Sequence, residues 1–269
     1  MRSTRARDGL SGAAAAALAL GISELAAGFF SGLPSLIEGV GNWVIDVVPE
    51  PIKHWAISVF NTNDKLALLV GMTVVAILLG ALLGQVARSR FAIAMVAFIG
   101  FGLLGALAAS REPAVSLGIA MVSGGLAAVT GLVSLHWLLG LSPPVAAGET
   151  SAPRDDSRRS FVIGVSALLG LAVLSAATGR MLVERAKRAV AGRAEVVLPG
   201  PAQAVDPVPP SAELGVSGLT PVITPNESFY RIDAAFSVPR VDLPAWTLSI
   251  KGMVDRPYSI TYADLLDMR

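Results

Sequence analysis

Two ionisable side chains stand inside long apolar stretches of the sequence, where an unpaired charge is costly and often marks a functional site. They are Glu24 and His136. A haem held between helices needs two facing axial ligands, and histidine is a common one. The only other histidine, His54, lies in a loop between apolar stretches. The sequence therefore favours helix packing or a quinone contact for His136 and Trp137 over haem binding.

A second chemical signal is the polar segment before the last apolar stretch, Ser157-Arg158-Arg159-Ser160-Phe161-Val162-Ile163. Paired arginines followed by phenylalanine and an apolar run resemble the twin-arginine export signal, which is read by a dedicated export machinery. The lysine that often follows is absent, and the position is internal instead of N-terminal. A plain positive-inside anchor, which also uses arginines, is the alternative.

The composition excludes several classes of function. Hydrophobic residues make up 53 % of the 269 residues and charged residues 15 %, against roughly a quarter charged in soluble domains. A net charge of +1 is too small to neutralise many phosphates, so we expect no nucleic-acid partner. The chain has no cysteine, which excludes disulfides, zinc–thiolate sites and iron–sulfur clusters in this chain. We expect neither catalytic residues nor metal ligands within it.

The apolar residues fall into five long windows, and the elements that these windows form must position Glu24, His136 and the paired arginines. A bilayer core of about 30 Å needs about 20 apolar residues in a helix, and a helix satisfies the backbone polar groups internally. The sequence therefore predicts an all-α transmembrane bundle of five helices within residues 1–180, with the lipid bilayer as its partner. The windows are residues 9–30, 66–87, 91–110, 114–141 and 161–179. The first is alanine-rich and contains Glu24, so a secretory signal peptide is its alternative.

The distribution of basic residues predicts the orientation of the bundle. Arginines are concentrated in the N-terminal tail, between windows two and three, and before window five. These are Arg2, Arg5, Arg7, Arg88, Arg90, Arg154, Arg158 and Arg159. The opposite loops hold only Lys53, Lys65 and Arg111. We therefore expect a multi-pass protein of the cell membrane with a cytoplasmic N-terminus and an extracytoplasmic C-terminal segment, although Arg180, Arg185, Lys187, Arg188 and Arg193 oppose this.

Within the bundle, Gly80 and Gly84 form a small-xxx-small pattern that lets two helices approach closely. The loop 31–65 holds apolar residues between prolines, and we expect short amphipathic pieces there, with Trp43 and Trp55 at headgroup level. Beyond the bundle, residues 181–218 comprise an amphipathic segment (181–195) and a proline-rich spacer. The prolines of residues 199–225 are Pro199, Pro201, Pro207, Pro209, Pro210, Pro221 and Pro225.

Residues 219–269 have a globular pattern. Alternation over 246–254 predicts a half-buried strand, residues 255–257 a turn, and residues 258–261 the return strand of a hairpin. Thr261 is a predicted N-cap for a helix that begins at Tyr262, with Asp264 at its third position.

Two segments of this region resemble the molybdopterin-binding domain of the sulfite oxidase family. The first runs from Thr224 through Pro225 and Asn226 to Phe229, Tyr230 and Arg231. The second is the hairpin-then-helix pattern Trp246-x-Leu248-x-Ile250-x-Gly252-x-Val254-x-x-Pro257-x-x-Ile260-Thr261-x-x-Asp264-Leu265. The five-helix anchor with an internal twin-arginine motif is similar to actinobacterial membrane-bound members of that family.

The resemblance implies an α+β molybdopterin-binding domain that begins in residues 219–269 and performs two-electron oxygen-atom transfer when complete. Its implied cofactor is molybdenum–molybdopterin, with an unidentified redox partner. The candidate pterin-binding residues are then Asn226, Phe229, Tyr230 and Arg231. An amide can both donate hydrogen bonds to a pterin ring and accept them from it, and a guanidinium can donate two parallel hydrogen bonds to a phosphate. Core packing of the two aromatics and a solvated position for Arg231 are the alternatives.

The chain departs from the family pattern in one respect. Family members bind molybdenum through a cysteine thiolate that follows the helix beginning here at Tyr262, and this chain has no cysteine. We therefore expect the N-terminal part of a longer protein, truncated before the metal ligand. A non-catalytic anchor that recruits a partner is the alternative function. A small transporter is a weaker one, since the sequence shows no broken-helix pair or inverted repeat.

Overall fold

The computed structural model of the chain describes residues 2–30, 33–112, 115–141, 155–189, 203, 206, 208–225, 229 and 243–268. The chain divides into two compact units, Met1–Arg188 and Ala189–Arg269. The first unit is helical, with α1 (Arg2–Phe29), α2 (Leu36–Val47), α3 (Glu50–Phe60), α4 (Asp64–Ala87), α5 (Phe91–Ala109), α6 (Leu117–Gly140) and α7 (Asp155–Ala189). The second unit holds β1 (Thr247–Ile250), β2 (Tyr258–Thr261) and the short helix α8 (Tyr262–Asp267).

Five of the helices are long and apolar enough to cross a bilayer, namely α1, α4, α5, α6 and α7. Their apolar spans are Thr4–Phe29, Asp64–Ala87, Phe91–Ala109, Leu117–Gly140 and Ser157–Ala186. The five predicted transmembrane helices are thereby confirmed as helices, and the architecture fits a multi-pass membrane protein. The observed sheet is limited to two strands, so a complete α+β domain is not formed within the described residues.

Helix α1 is the most enclosed of the five. Its most apolar window is 61 % buried inside the protein, against 6 % for that of α4. It packs against α4 and α6, and its residues Ala14 and Leu18 join a core cluster with Leu168 of α7. A helix surrounded by other helices meets little lipid, so small residues serve it better than large apolar ones. This explains its alanine-rich sequence and its modest mean hydropathy of 1.6.

Glycines form the close contacts between the helices. A Cβ atom added at Gly80 of α4 would lie 2.8 Å from the carbonyl oxygen of Gly12 in α1, and one at Gly84 would lie 2.7 Å from the Gly12 nitrogen. The predicted role of Gly80 and Gly84 in close packing is thereby confirmed. A second such contact joins α1 to α7, where a Cβ at Gly28 would lie 3.0 Å from the Gly179 Cα.

The loop between α1 and α4 contains the expected short helices. Helix α2 begins at its cap Ser35, whose hydroxyl accepts a hydrogen bond from the Glu38 nitrogen (3.3 Å), and it packs on α5. Helix α3 buries none of its residues, and Trp55 is 61 % exposed. Trp43 lies under the guanidinium of Arg111, 5.7 Å from its ring centroid. An apolar helix without protein cover is typical of a membrane interface.

Helix α7 differs from the prediction. We expected a span over 161–179 and a separate amphipathic helix over 181–195, but one continuous helix of 35 residues runs from Asp155 to Ala189. No proline stands between the two predicted segments, so nothing removes a backbone donor and ends the helix at Gly179. Residues 190–195 lie outside the described part of the chain.

The second unit matches its prediction in element order. Strands β1 and β2 pair antiparallel with Leu248 opposite Ile260 and Ile250 opposite Tyr258. The strand predicted over 246–254 ends early, at Ile250, because Gly252 adopts φ +98° and turns the chain. In the spacer, Pro209 has φ −65° and ψ 147°, the polyproline II conformation. The described spacer residues 208–225 are almost all exposed.

Candidate functional site

The residues that the family resemblance points to lie mostly outside the described part of the chain. Asn226, Tyr230 and Arg231 are among these. Phe229 is described and is 61 % exposed. Phe229 is thus the one candidate pterin-binding residue within the described part of the chain, and the local geometry described is that of the hairpin and helix that follow.

The hairpin has one polar and one apolar face. Thr247 and Ser249 stand opposite Thr261 and Ser259, and the hydroxyls of Ser249 and Ser259 are 2.8 Å apart. The other face carries the aliphatic and aromatic pairs, of which Tyr258 is 48 % exposed. A two-stranded hairpin is marginally stable unless its apolar face is covered. We therefore expect the apolar face of this hairpin to pack against another part of the protein.

Helix α8 starts with a reciprocal capping box at the predicted position. The Thr261 hydroxyl and backbone nitrogen donate to Oδ2 of Asp264 (2.6 and 2.8 Å), and the Asp264 nitrogen donates back to the hydroxyl (3.2 Å). The Thr261 hydroxyl, and then its backbone N–H, hold the pKa of Asp264 below its usual range. The rings of Trp246 and Tyr262 meet edge to face at 6.2 Å, which ties the helix start to the beginning of β1.

Glu24, the carboxylate within the first predicted window, is paired. Arg180 of α7 donates from Nε to Glu24 Oε2 (2.9 Å) and from Nη1 to Glu38 Oε1 of α2 (2.9 Å). The side chains of Glu24 and Glu38 are 13 % and 20 % exposed. One guanidinium thus joins three helices at the end of α1. This arrangement gives Glu24 a structural role, and it accounts for one of the basic residues that opposed the predicted orientation.

A second ion pair lies at the other end of α1 and was not predicted. Arg88 donates from Nε to both oxygens of Asp8 (2.8 Å each) and from Nη2 to Oδ1 (2.6 Å). The Asp8 side chain is 5 % exposed. Nη2 also reaches the carbonyl oxygen of Leu139 (3.4 Å) near the end of α6. Asp8 stands one residue before the first apolar window. A charged residue is ordinary at such a position, so the sequence does not single it out.

The two histidines lie at opposite ends of the bundle. His54 is on α3, which adjoins the start of α4, and it contacts Glu50 (3.7 Å). His136 is near the end of α6, and its ring lies edge to face with that of Phe91 (5.6 Å), which follows the end of α4 at Ala87 by four residues. Helix α4 has 24 residues, so its length of about 36 Å separates them. They do not form a facing pair for haem.

The twin-arginine segment forms the first turns of α7. Arg158 and Arg159 are exposed, whereas Phe161 is only 3 % exposed and lies under the guanidinium of Arg7, 5.9 Å from its ring centroid. Phe161 therefore packs into the bundle, and the side chains of Arg158 and Arg159 stay exposed at its surface.

The metal site implied by the resemblance does not fit this chain on its own. Within the described residues, no group of three or more His, Cys, Asp or Glu side chains could hold a metal ion. The chain has no cysteine to supply the soft thiolate that the family uses. Comparisons with protein-family models, with curated proteins and with solved structures find no match to this chain.

Proposed function

We propose that the helical unit is a membrane anchor and that residues 219–269 form the opening part of a molybdopterin-dependent oxidoreductase domain of the sulfite oxidase type. The observation that carries the proposal is the hairpin β1–β2 followed directly by the capped helix α8. In this proposal, the three elements correspond to the hairpin-then-helix pattern of residues 246–265 that resembles the family. The partly exposed apolar face of the hairpin supports this role, since a two-stranded hairpin needs further structure packed against it for stability.

The packing of the bundle supports anchoring over transport. Its helices meet through glycine and alanine, and the charges that it buries are neutralised in pairs at the two ends of α1. A groove of about 140 Å³ between α5 and α6 is lined only by glycines and apolar side chains, among them Ile99, Gly102, Met121, Gly124 and Val129. A solute path requires polar groups near the middle of the bilayer, and this groove offers none.

The placement of charge supports an orientation with the C-terminal segment outside the cytoplasm. Arg5, Arg90, Arg158 and Arg159 belong to the same end of the bundle as the N-terminus of α1, and basic residues favour the cytoplasmic side. Helix α7 crosses from that end, since Phe161 contacts Arg7 at its start and Arg180 contacts Glu24 towards its end. In this proposal the segment after α7 emerges on the far side, delivered by the twin-arginine export machinery.

The proposed role of this chain in cofactor binding is limited to the pterin. Asn226, Phe229, Tyr230 and Arg231 would contact it, and no metal ligand is assigned here because the chain lacks the thiolate. The bound group would supply two-electron oxygen-atom transfer in the complete domain, in exchange with a redox partner.

The test is to read the coding sequence after Arg269 and to purify the product of the complete reading frame from membranes. We expect an in-frame cysteine codon within a few dozen codons, together with molybdenum and a fluorescent pterin in the oxidised extract. The chain ending at Arg269 should carry no molybdenum. Arg231→Ala should lower the pterin content, whereas Arg256→Ala in the hairpin turn should not. A frame without cysteine and a product without pterin would leave the non-catalytic anchor as the better function.

A further inference from the structure

Two contacts bring three chain segments together at one end of the bundle. The Asp8–Arg88 ion pair joins the start of α1 to the turn between α4 and α5. The contact of Arg7 with Phe161 joins the start of α1 to the first turns of α7. Arg5, Arg90 and Arg159 each stand two residues from one of these contacts, and Arg158 is adjacent to Arg159. We call Arg5, Arg90, Arg158 and Arg159 the arginine belt.

The arginine belt is exposed and carries uncompensated charge among the described side chains. All four residues are exposed, and no described carboxylate pairs with them. Asp8, the described acid at this end, is 3 % exposed and is neutralised by Arg88. Residues 2–8, 88–90 and 155–161 together hold seven arginines against three aspartates, so this end keeps an excess of positive charge when Asp155 and Asp156 are counted.

The opposite end of the bundle differs. Arg180 is held by Glu24 and Glu38, and Lys53 pairs with Glu50 (3.5 Å). Arg180 and Lys53 are therefore paired with carboxylates of the protein, whereas no described carboxylate pairs with the arginine belt. The belt residues also lie at or within a few residues of the ends of the apolar spans, and the ends of a membrane span meet the polar headgroup region of a bilayer.

We infer that the arginine belt binds the headgroups of anionic phospholipids in the leaflet at this end of the bundle. A guanidinium presents a fork of donors that matches two phosphate oxygens. Several arginines at the ends of neighbouring helices form the kind of basic patch that attracts anionic headgroups, each contributing roughly a fivefold preference. The inference depends on the helical unit alone and stands independently of the molybdopterin proposal.

The test uses the purified full chain in detergent, titrated with dioleoyl phosphatidylglycerol or dioleoyl phosphatidylcholine, with bound lipid counted by native mass spectrometry. We expect phosphatidylglycerol to bind in preference to phosphatidylcholine. The pairs Arg5→Gln/Arg90→Gln and Arg158→Gln/Arg159→Gln should each weaken that preference by roughly 25-fold, at about fivefold a charge. The matched control Lys251→Gln/Arg256→Gln removes two exposed charges from the second unit and should change nothing.

Circular dichroism of each variant establishes that the helices persist, so that lost binding reports on charge and not on folding. Equal binding of the two lipids by the wild-type chain would overturn the inference, and so would an unchanged preference in both belt variants. Full displacement of the lipid by inorganic phosphate alone would also overturn it, since the belt would then be a site for a soluble anion.

Discussion

The buried ion pair between Asp8 and Arg88 gives the sharpest stability prediction. Replacing Arg88 with methionine keeps an apolar chain of similar reach but removes three short N–H···O contacts from a carboxylate that is 5 % exposed. The change leaves a desolvated negative charge in contact with the bundle. Replacing Asp8 with asparagine leaves Arg88, whose side chain is 23 % exposed and can turn towards the headgroups.

The expected magnitudes follow from this asymmetry. Removal of one partner of a buried pair costs about 3–5 kcal/mol because the other charge stays unpaired, so Arg88→Met should lower the free energy of unfolding by that amount. Asp8→Asn should cost less, about 1–2 kcal/mol, the range for lost hydrogen bonds to a group that water reaches. The double variant should resemble Asp8→Asn, since no unpaired carboxylate remains. The sum of the two single costs should therefore exceed the cost of the double variant by about 3–5 kcal/mol, which is the full cost of Arg88→Met.

The assay is unfolding in mixed micelles of dodecyl maltoside and increasing dodecyl sulfate, followed by far-ultraviolet circular dichroism, for the wild type and the three variants. Ser89→Ala, an exposed position in the same turn, is the control and should leave the transition unchanged. A loss below about 1 kcal/mol for Arg88→Met, outside the range for a buried pair, would refute the reasoning. Additive single and double variants would refute it equally.

Two further predictions concern packing and pH. Gly12→Leu should prevent the close approach of α1 to Gly84, whose Cα would lie 2.8 Å from the new Cβ, and should cost at least about 3 kcal/mol in the same assay. Gly71→Leu, where a Cβ meets nothing within 4 Å, should be neutral. The lowered pKa of Asp264 means that its cap stabilises α8 above the ordinary carboxyl pKa and loses this effect as the pH falls through the lowered value. Thr261→Val should return the pKa of Asp264 towards its ordinary value in a carboxyl NMR titration, and an unchanged pKa would contradict the capping geometry.

The sequence predicted the elements better than the contacts between them. Four windows without charge gave α4, α5, α6 and α7 because length and hydropathy alone determine a span. The weaker first window proved to be α1, whose alanine content reflects its enclosure by other helices. Thr261 and Asp264 were predicted as a cap because both partners stand three residues apart in one segment.

The ion pairs between residues far apart in the chain could not be predicted from the sequence. Arg88 is 80 positions from Asp8, and Arg180 is 142 from Glu38. No local period connects such pairs, and only the packing of different helices against one another brings them together. For the same reason the sequence marks Glu24 as a functional candidate, whereas the structure pairs it with Arg180. The alternating pattern continues to Val254, so it predicts a longer strand than β1, which ends at Ile250. The pattern does not reveal that Gly252 adopts φ +98° and turns the chain.

We propose that the two ends of the chain lie on opposite faces of the membrane, with the proline-rich segment outside the cytoplasm. The chain has no cysteine, so single cysteines can be labelled in intact cells with a membrane-impermeant maleimide. We expect His54→Cys and Ser211→Cys to react in intact cells, and Thr4→Cys and Ser89→Cys to react only after permeabilisation. Labelling of Thr4→Cys with protection of Ser211→Cys would contradict the account.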